Sequence, residues 1–176
     1  MAKEYETKIL EINVKEIKKK LKQIGAKKKA EYLMRRCIFD INLTRDEWIR
    51  LRDYNGKNAT LTYKVRTGSG ISETEEIEVH VSDFDIMAEI LSKLKFKGKY
   101  YQENKREIYK LKDIEFCIDH WPKIPTYLEI EAKSEKRVHE GLKMLGLEGK
   151  DIGNISVKKV YSMYRIDLHS FKELRF

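Results

Sequence analysis

The sequence has few of the features that mark a disulfide-rich, zinc-binding or membrane protein. It has two cysteines in 176 residues, Cys37 and Cys117, which are far apart and outside any C-x-x-C spacing. Neither a disulfide framework nor a zinc site is therefore indicated. No apolar run approaches the ~20 residues that a membrane span needs, and the opening residues MAKEYETK lack the apolar core of a signal peptide. We expect a cytoplasmic protein with no membrane segment.

The chain nevertheless has enough apolar material to fold. Apolar residues make up 41% of it and charged residues 38%, and the length suits a single domain over residues 1–176. The formal net charge of +8 favours an anionic partner. Nucleic acid, phosphate-rich metabolites and an acidic membrane surface all remain open, because the sign of the charge does not choose among them.

Three segments have the spacing of amphipathic helices. They read NVKEIKKKLKQIG from residue 13, SDFDIMAEILSKL from residue 82 and EKRVHEGLKMLGL from residue 135. Asn13 with Glu16 resembles a capping box, Ser82 or Asp83 can cap the second helix, and Ser134 precedes the third. The lysines of the first segment lie opposite its apolar face, which favours a solvated surface over a nucleic-acid patch.

Most of the remaining chain alternates between apolar and charged residues, as strands do when their two faces differ. WIRLR and LTYKVR have one basic face, EEIEVHV and YLEIEA have one acidic face, and EYETK at 4–8 places two glutamates and a lysine together. IEFCIDHW, NKREIY and VKKVYSMY predict further strands, while DYNGKN and TGSG predict turns. We expect an α+β protein, mainly β, with about eight antiparallel strands curled into a barrel.

The alternation leaves open which face of the barrel points inward. Charged outer faces are the commoner use of this pattern. Three amphipathic helices, however, need an apolar outer surface on which to dock, which favours charged faces lining a wet lumen. A lumen with charges of both signs would keep the cost of burying them tolerable.

Several motifs then occur in one order along the chain. They are Glu4, Glu6 and Lys8 as E-x-E-x-K, FD at 39–40, IRLR at 49–52, Lys64 with Arg66, EEIE at 75–78, Arg106 followed by Tyr109, IDHW at 118–121 and LEIE at 128–131. In this the chain resembles the CYTH superfamily, the triphosphate tunnel metalloenzymes, from residue 4 to about 131. The resemblance implies a closed eight-stranded antiparallel barrel with a charged tunnel and amphipathic helices packed outside.

The resemblance also implies roles for individual residues. One or two Mg²⁺ or Mn²⁺ ions would be held by Glu4, Glu6, Asp119, Glu129 and Glu131, with Glu76 and Glu78 as further acidic tunnel residues. Carboxylate oxygens suit such ions. The phosphate chain would be bound by Lys8, Arg50, Arg52, Lys64, Arg66 and Arg106. The residues implied as catalytic are Glu4, Glu6, Lys8 and Glu131.

The sequence departs from the family at two places. Asn104 stands where a lysine is usual, two residues before Arg106, and Lys105 should lie on the opposite side of that strand. Near the C-terminus the family's basic residue fits the sequence only loosely, with Lys158 as the candidate.

Three functions follow for comparison. The leading hypothesis is a metal-dependent triphosphatase acting on tripolyphosphate, thiamine triphosphate or ATP. The alternative is a class IV adenylate cyclase, which needs the same carboxylates and cations. A non-enzymatic nucleic-acid binder is disfavoured, because the basic strand faces also contain carboxylates that repel a phosphate backbone. A homodimer is one possible assembly.

Overall fold

A computed structural model describes residues 2–42, 47–66, 73–96 and 100–176. The side chains of residues 2–4, 40, 42, 66, 73 and 74 lie outside the description. The strands are β1 Ala2–Ile9, β2 Lys27–Asn42, β3 Glu47–Tyr54, β4 Asn58–Arg66, β5 Glu73–Val81, β6 Tyr100–Leu111, β7 Ile114–His120, β8 Tyr127–Ala132 and β9 Glu173–Leu174. The helices are α1 Val14–Gln23, α2 Phe84–Lys93, α3 Glu135–Leu145 and α4 Val157–Met163, followed by a 3-10 turn at Leu168–Ser170.

Eight antiparallel strands form the predicted barrel. Their order is β2-β3-β4-β5-β1-β8-β7-β6, and β6 pairs back onto β2 from Lys27–Lys110 to Ile38–Tyr100. The seam between β1 and β5 is short, with four residue pairs from Ala2–Glu76 to Tyr5–Glu73. The two-residue β9 adds to β6 in parallel. The prediction of an eight-stranded antiparallel barrel is therefore confirmed.

The barrel is apolar outside and charged inside. The outward residues of β7 and β8, which include Phe116, Ile118, Leu128 and Ile130, have no exposed surface. They are covered by α1 and α3, while α2 covers the outer face of β2, β3 and β4. Because side chains alternate along a strand, the intervening charged residues face the lumen. The helices are thus what makes this orientation favourable, since they bury the outer apolar face.

Local signals explain where the helices and the tight turn form. The side chains of Asn13, Asp83 and Ser134 accept hydrogen bonds from backbone amides in the first turns of α1, α2 and α3. In the β3–β4 hairpin, Asn55 and Gly56 both have positive φ angles, 57° and 69°. Two such residues form the type I′ turn that the Asn-Gly pair predicts. The TGSG turn predicted at 67–70 lies outside the described residues.

The prediction of a strand at VKKVYSMY is wrong, because most of this segment forms α4. Ser156 caps the helix by accepting a hydrogen bond from the Lys159 amide. Val157, Val160, Tyr161 and Tyr164 follow helical spacing and pack in the cluster that contains Trp121. The apolar residues of this segment recur every three or four positions, so the helical period describes it better than alternation does. No helix in the described part of the chain is long and apolar enough to cross a membrane.

Candidate active site in the barrel lumen

The lumen is a cavity of about 540 Å³ to which all eight barrel strands contribute side chains. Residues 155–158 and 168–169 of the C-terminal segment complete its lining. A cavity of this volume suits a small molecule. About half of its lining residues are charged, in agreement with the inward orientation of the polar strand faces.

Three carboxylates meet at one wall of the lumen. Oxygens of Glu6, Glu129 and Glu131 lie within 4.8 Å of one another. The register of β1 on β8 brings them together, since Glu6 pairs with Glu131 and Lys8 pairs with Glu129. This carboxylate cluster could hold a divalent cation, because hard cations prefer several carboxylate oxygens.

Lys8 lies between two members of the carboxylate cluster. Its Nζ is 2.9 Å from Glu6 Oε1 and 3.0 Å from Glu129 Oε2, and the side chain is 3% exposed. Burial alone would lower the pKa of Lys8, but Glu129 and Glu6 outweigh it and raise the pKa above its usual value. The ammonium therefore stays charged and offsets the repulsion between the two carboxylates.

Arg106 joins Asp119 to the carboxylate cluster. Its Nε and Nη2 donate to the two Asp119 oxygens at 2.8 and 2.6 Å, and Nη2 also donates to Glu129 Oε1 at 2.8 Å. Asp119 is fully buried, and this burial raises its pKa in spite of Arg106. For Glu129, Arg106 and Lys8 overcome burial and hold the pKa well below its usual range. Arg106 thus binds both oxygens of Asp119, and Asp119 is not one of the three acids of the carboxylate cluster.

Basic residues of β3 and β4 form another wall, which we call the basic wall: Arg50, Arg52 and Lys64. Lys64 pairs with Glu76 at 2.7 Å, and Arg50 lies 3.9 Å from Glu78. Burial and the neighbouring Arg52 lower the pKa of Arg50 to about 10. The buried Nε atoms of both arginines have no hydrogen-bond acceptor in the described part of the chain. This wall therefore has donors that an anion in the lumen could engage.

The remaining predicted residues have different placements. Asn104 faces the lumen, where its Nδ2 donates to Asp119 Oδ1 at 3.2 Å, and Lys105 is exposed outside, as the strand register predicts. Lys158 lies near the start of α4, exposed at the border of the cavity. Glu4 and Arg66 belong to β1 and β4, but their side chains fall outside the described set.

The sequence reasoning missed one lumen cation, Arg36. It lies on β2 between Met34 and Ile38, which also line the cavity. Because these two neighbours are apolar, the lumen face of β2 does not stand out in the sequence as a charged face. The position of Arg36 opposite Arg52 on β3 reveals it, but this register is known only from the structure.

Comparison with known proteins agrees with this geometry. A model of the CYTH domain matches residues 2–153. The chain belongs to the CYTH family. Among curated proteins, it is 43% identical over 101 residues to MJ0240 of Methanocaldococcus jannaschii, a candidate adenylate cyclase. That match spans 57% of each chain, so it covers little more than half the length of this relative.

Solved structures show the same CYTH fold. The PH1012 protein of Pyrococcus horikoshii has a TM-score of 0.77 at 26% identity, covering 85% of this chain and 93% of that one. HpAC1 of Hippeastrum, a candidate adenylyl cyclase whose reported activity is dominantly that of a triphosphatase, has a TM-score of 0.61 at 16% identity, covering 94% and 96%. At such low identity the second likeness concerns the fold alone.

Proposed function

We propose that this CYTH protein is a divalent-metal-dependent triphosphatase that binds inorganic or organic triphosphates in its lumen. The observation that carries the proposal is one cavity in which a carboxylate cluster and a basic wall occur together. A metal–polyphosphate complex has the complementary charge pattern, since its cation suits the carboxylates and its anionic oxygens suit the basic wall. Family membership supports the proposal.

Glu6, Glu129 and Glu131 would hold Mg²⁺ or Mn²⁺, with Glu4 as a further ligand by resemblance. When bound, the cation would neutralise phosphate charge and lower the pKa of a bound water. Lys8 would hold the Glu6 and Glu129 side chains in place beside the cation site, since it contacts both. Asp119 would position Arg106 through two hydrogen bonds.

Arg50, Arg52, Lys64 and Arg106 would bind the phosphate oxygens, with Arg66 and Lys158 as further candidates. Phosphoryl transfer depends mainly on positioning and on stabilising charge, and fixed guanidinium groups in a confined lumen provide both. The partial pairing of Arg50 and Lys64 with Glu78 and Glu76 would hold these cations in place before substrate enters.

The alternative is a class IV adenylate cyclase, in which the same groups would grip ATP while its 3′-hydroxyl attacks the α-phosphorus. The specific observation in its favour is the 43% identity to a candidate adenylate cyclase. HpAC1 indicates that candidate cyclases of this fold can act chiefly as triphosphatases. The two reactions differ in their products and not in the charged groups that they need.

A product assay tests the proposal. The protein is incubated with tripolyphosphate, thiamine triphosphate and ATP, in Mg²⁺, Mn²⁺ or EDTA, and the products are identified. We expect release of phosphate from at least one triphosphate, dependent on metal and abolished in Glu131→Gln but not in the exposed control Glu148→Gln. Cyclic AMP with pyrophosphate would establish the cyclase, and no turnover with no tripolyphosphate binding would reject both.

A further inference from the structure

Arg36 is a buried arginine with no carboxylate partner among the described side chains. It is 8% exposed, its Nε donates to Gln102 Oε1 at 3.2 Å, and its guanidinium carbon lies 4.1 Å from the centre of the Trp121 ring. These contacts use one face of the guanidinium and one of its donors. The two terminal amino groups form no hydrogen bond with the described part of the chain.

The charges around Arg36 are of its own sign. Burial, and after it the neighbouring Arg52 and Arg50, lower the pKa of Arg36 to about 9. Arg106 shows the opposite situation, because Asp119 and Glu129 contact it directly and raise its pKa in spite of burial. A buried ion without a counterion is strongly unfavourable. The fold retains one here beside two other arginines, an arrangement that an anionic ligand would stabilise.

Two more polar atoms near Arg36 lack partners. Trp121 Nε1 and Asn104 Oδ1 are both buried, with no hydrogen-bond partner in the parts of the chain that are described. Asn104 is the diagonal neighbour of Arg36 across the β2–β6 ladder, since Arg36 pairs with Gln102. Diagonal neighbours of this kind lie about 7–8 Å apart. Unsatisfied buried groups are uncommon in native proteins and point to an unseen ligand or water.

We propose that Arg36 binds a phosphate group of the triphosphate, in the part of the lumen next to Trp121. This inference rests on the proposed function. Trp121 fixes the plane of the guanidinium from one side and Gln102 fixes its Nε, so the terminal amino groups are presented in one orientation. A planar fork held in this way suits the oxygens of phosphate. Arg36, Arg50 and Arg52 together then bind the phosphate that the metal does not.

The test compares Arg36→Gln with the parent and with Lys29→Gln, an exposed lysine on the same strand. Calorimetry with inorganic tripolyphosphate is run in EDTA, and KM and kcat are measured in Mn²⁺. We expect Arg36→Gln to raise the dissociation constant at least tenfold and Lys29→Gln to leave it unchanged. Arg36→Lys, which keeps the charge without the fork, should give an intermediate value and serves if Arg36→Gln does not fold.

Two further measurements separate ligand binding from a structural role. Without ligand, Arg36→Gln should melt at or above the temperature of the parent, because an uncompensated buried cation has been removed. The double variant Arg36→Gln, Asn104→Lys should regain part of the affinity for tripolyphosphate, since a positive charge is restored at position 104, the diagonal neighbour of residue 36. A variant that melts lower but binds tripolyphosphate as the parent does would overturn the inference. Failure of the parent to bind tripolyphosphate in either EDTA or Mn²⁺ would remove the proposed function itself.

Discussion

Lys8 carries the positive charge that lies between two members of the carboxylate cluster. It is nearly inaccessible, and its ammonium contacts both Glu6 and Glu129. The carboxylate cluster thus brings oxygens of three acids within 4.8 Å of one another, with Lys8 and Arg106 both in contact with Glu129. Carboxylates this close repel one another, and a divalent cation would relieve that repulsion.

The first prediction concerns Glu131→Gln. Removing one negative charge should leave the metal-free protein as stable as the parent, or more stable by about 1 kcal/mol, because like charges are no longer crowded. The variant should lose catalysis by orders of magnitude and most of the stabilisation that Mn²⁺ gives the parent, since bound metal stabilises in proportion to its affinity for the folded state. Thermal melts in EDTA and in Mn²⁺ measure both effects.

Glu148→Gln is the matched control, because Glu148 is exposed and outside the lumen. It should melt like the parent in both buffers. If Glu131→Gln were clearly destabilised in EDTA and still responded fully to Mn²⁺, Glu131 would be an ion-pair partner of the fold and would leave the proposed metal site.

At the residue scale, alternation predicted which charges share a strand face but not how they pair. That Lys8, Arg50 and Arg106 lie on the charged faces of their strands follows from strand period, and the docking of the helices turns those faces inward. That Asp119 engages Arg106 follows from their pairing across β6 and β7, a register that depends on distant strands. Arg36 was missed for a local reason, because Met34 and Ile38 share its face. The element that holds it, β2, runs for 16 residues with no clean alternation.

Among the elements, α1 attaches to the barrel through an ionic contact as well as an apolar one. Glu107, on the outer face of β6, is 2.6 Å from Lys18 of α1 and 2.9 Å from Lys28 of β2. Glu107 is 6% exposed. Burial would raise the pKa of Glu107, but hydrogen bonds from Lys18 and Lys28 overcome it and lower the pKa to about 2. The contact therefore fixes α1 with a charge that persists in mild acid.

The second prediction follows from the sign of that shift. A carboxylate whose pKa is lower in the folded state than its unfolded value of about 4.3 stabilises the protein above that pH. The contribution is lost as the pH falls toward 2. Because both lysines are 41% exposed and water screens them, we expect Glu107→Gln to cost about 1–2 kcal/mol at pH 7. Urea titrations of parent and variant from pH 7 to pH 3 measure the difference.

The difference between the two proteins should be constant above about pH 5 and shrink below pH 4.3. Glu103→Gln is a control on the same strand, since its carboxylate accepts from the Tyr101 hydroxyl and lies 3.6 Å from exposed Arg175. A Glu107 effect that did not diminish in acid would mean that packing, and not charge, accounts for it.

Elements were predictable where a cap and a period coincide. Caps at Asn13, Asp83 and Ser134 and one apolar face each gave α1, α2 and α3. The helix α4 was predicted as a strand although its apolar residues have helical spacing, because seven residues show that spacing over only two turns. Its apolar side chains pack on Trp121 and Leu168, contacts that exist only once the barrel has formed. The charged lumen was foreseen from the docking needs of the helices and from the resemblance together.

For the whole molecule, the basic residues behind the net charge of +8 lie on two separate surfaces, the outside of the barrel and the lumen. Lysines outside the barrel, such as Lys15, Lys19 and Lys22 of α1, are exposed to solvent. The arginines of the lumen are enclosed in a cavity of about 540 Å³. We expect a small polyanion to reach the enclosed cations and a nucleic-acid duplex to meet only the outer lysines.

The third prediction separates these two surfaces. Tripolyphosphate at about 100 times its dissociation constant should stabilise the fold by about 2.7 kcal/mol, which for a chain of this size raises the melting temperature by about 5–10 °C. Short duplex DNA at the same phosphate concentration should give a smaller shift that disappears as salt is raised, because its contacts with exposed lysines are screened. Arg50→Gln should reduce the tripolyphosphate shift and leave the DNA response unchanged. Lys19→Gln should leave the tripolyphosphate shift unchanged and reduce the DNA response. The contrary result is a DNA shift as large as that of tripolyphosphate in moderate salt, with no displacement of DNA by excess tripolyphosphate. The positive charge would then serve nucleic-acid binding, and the lumen would not be the functional site.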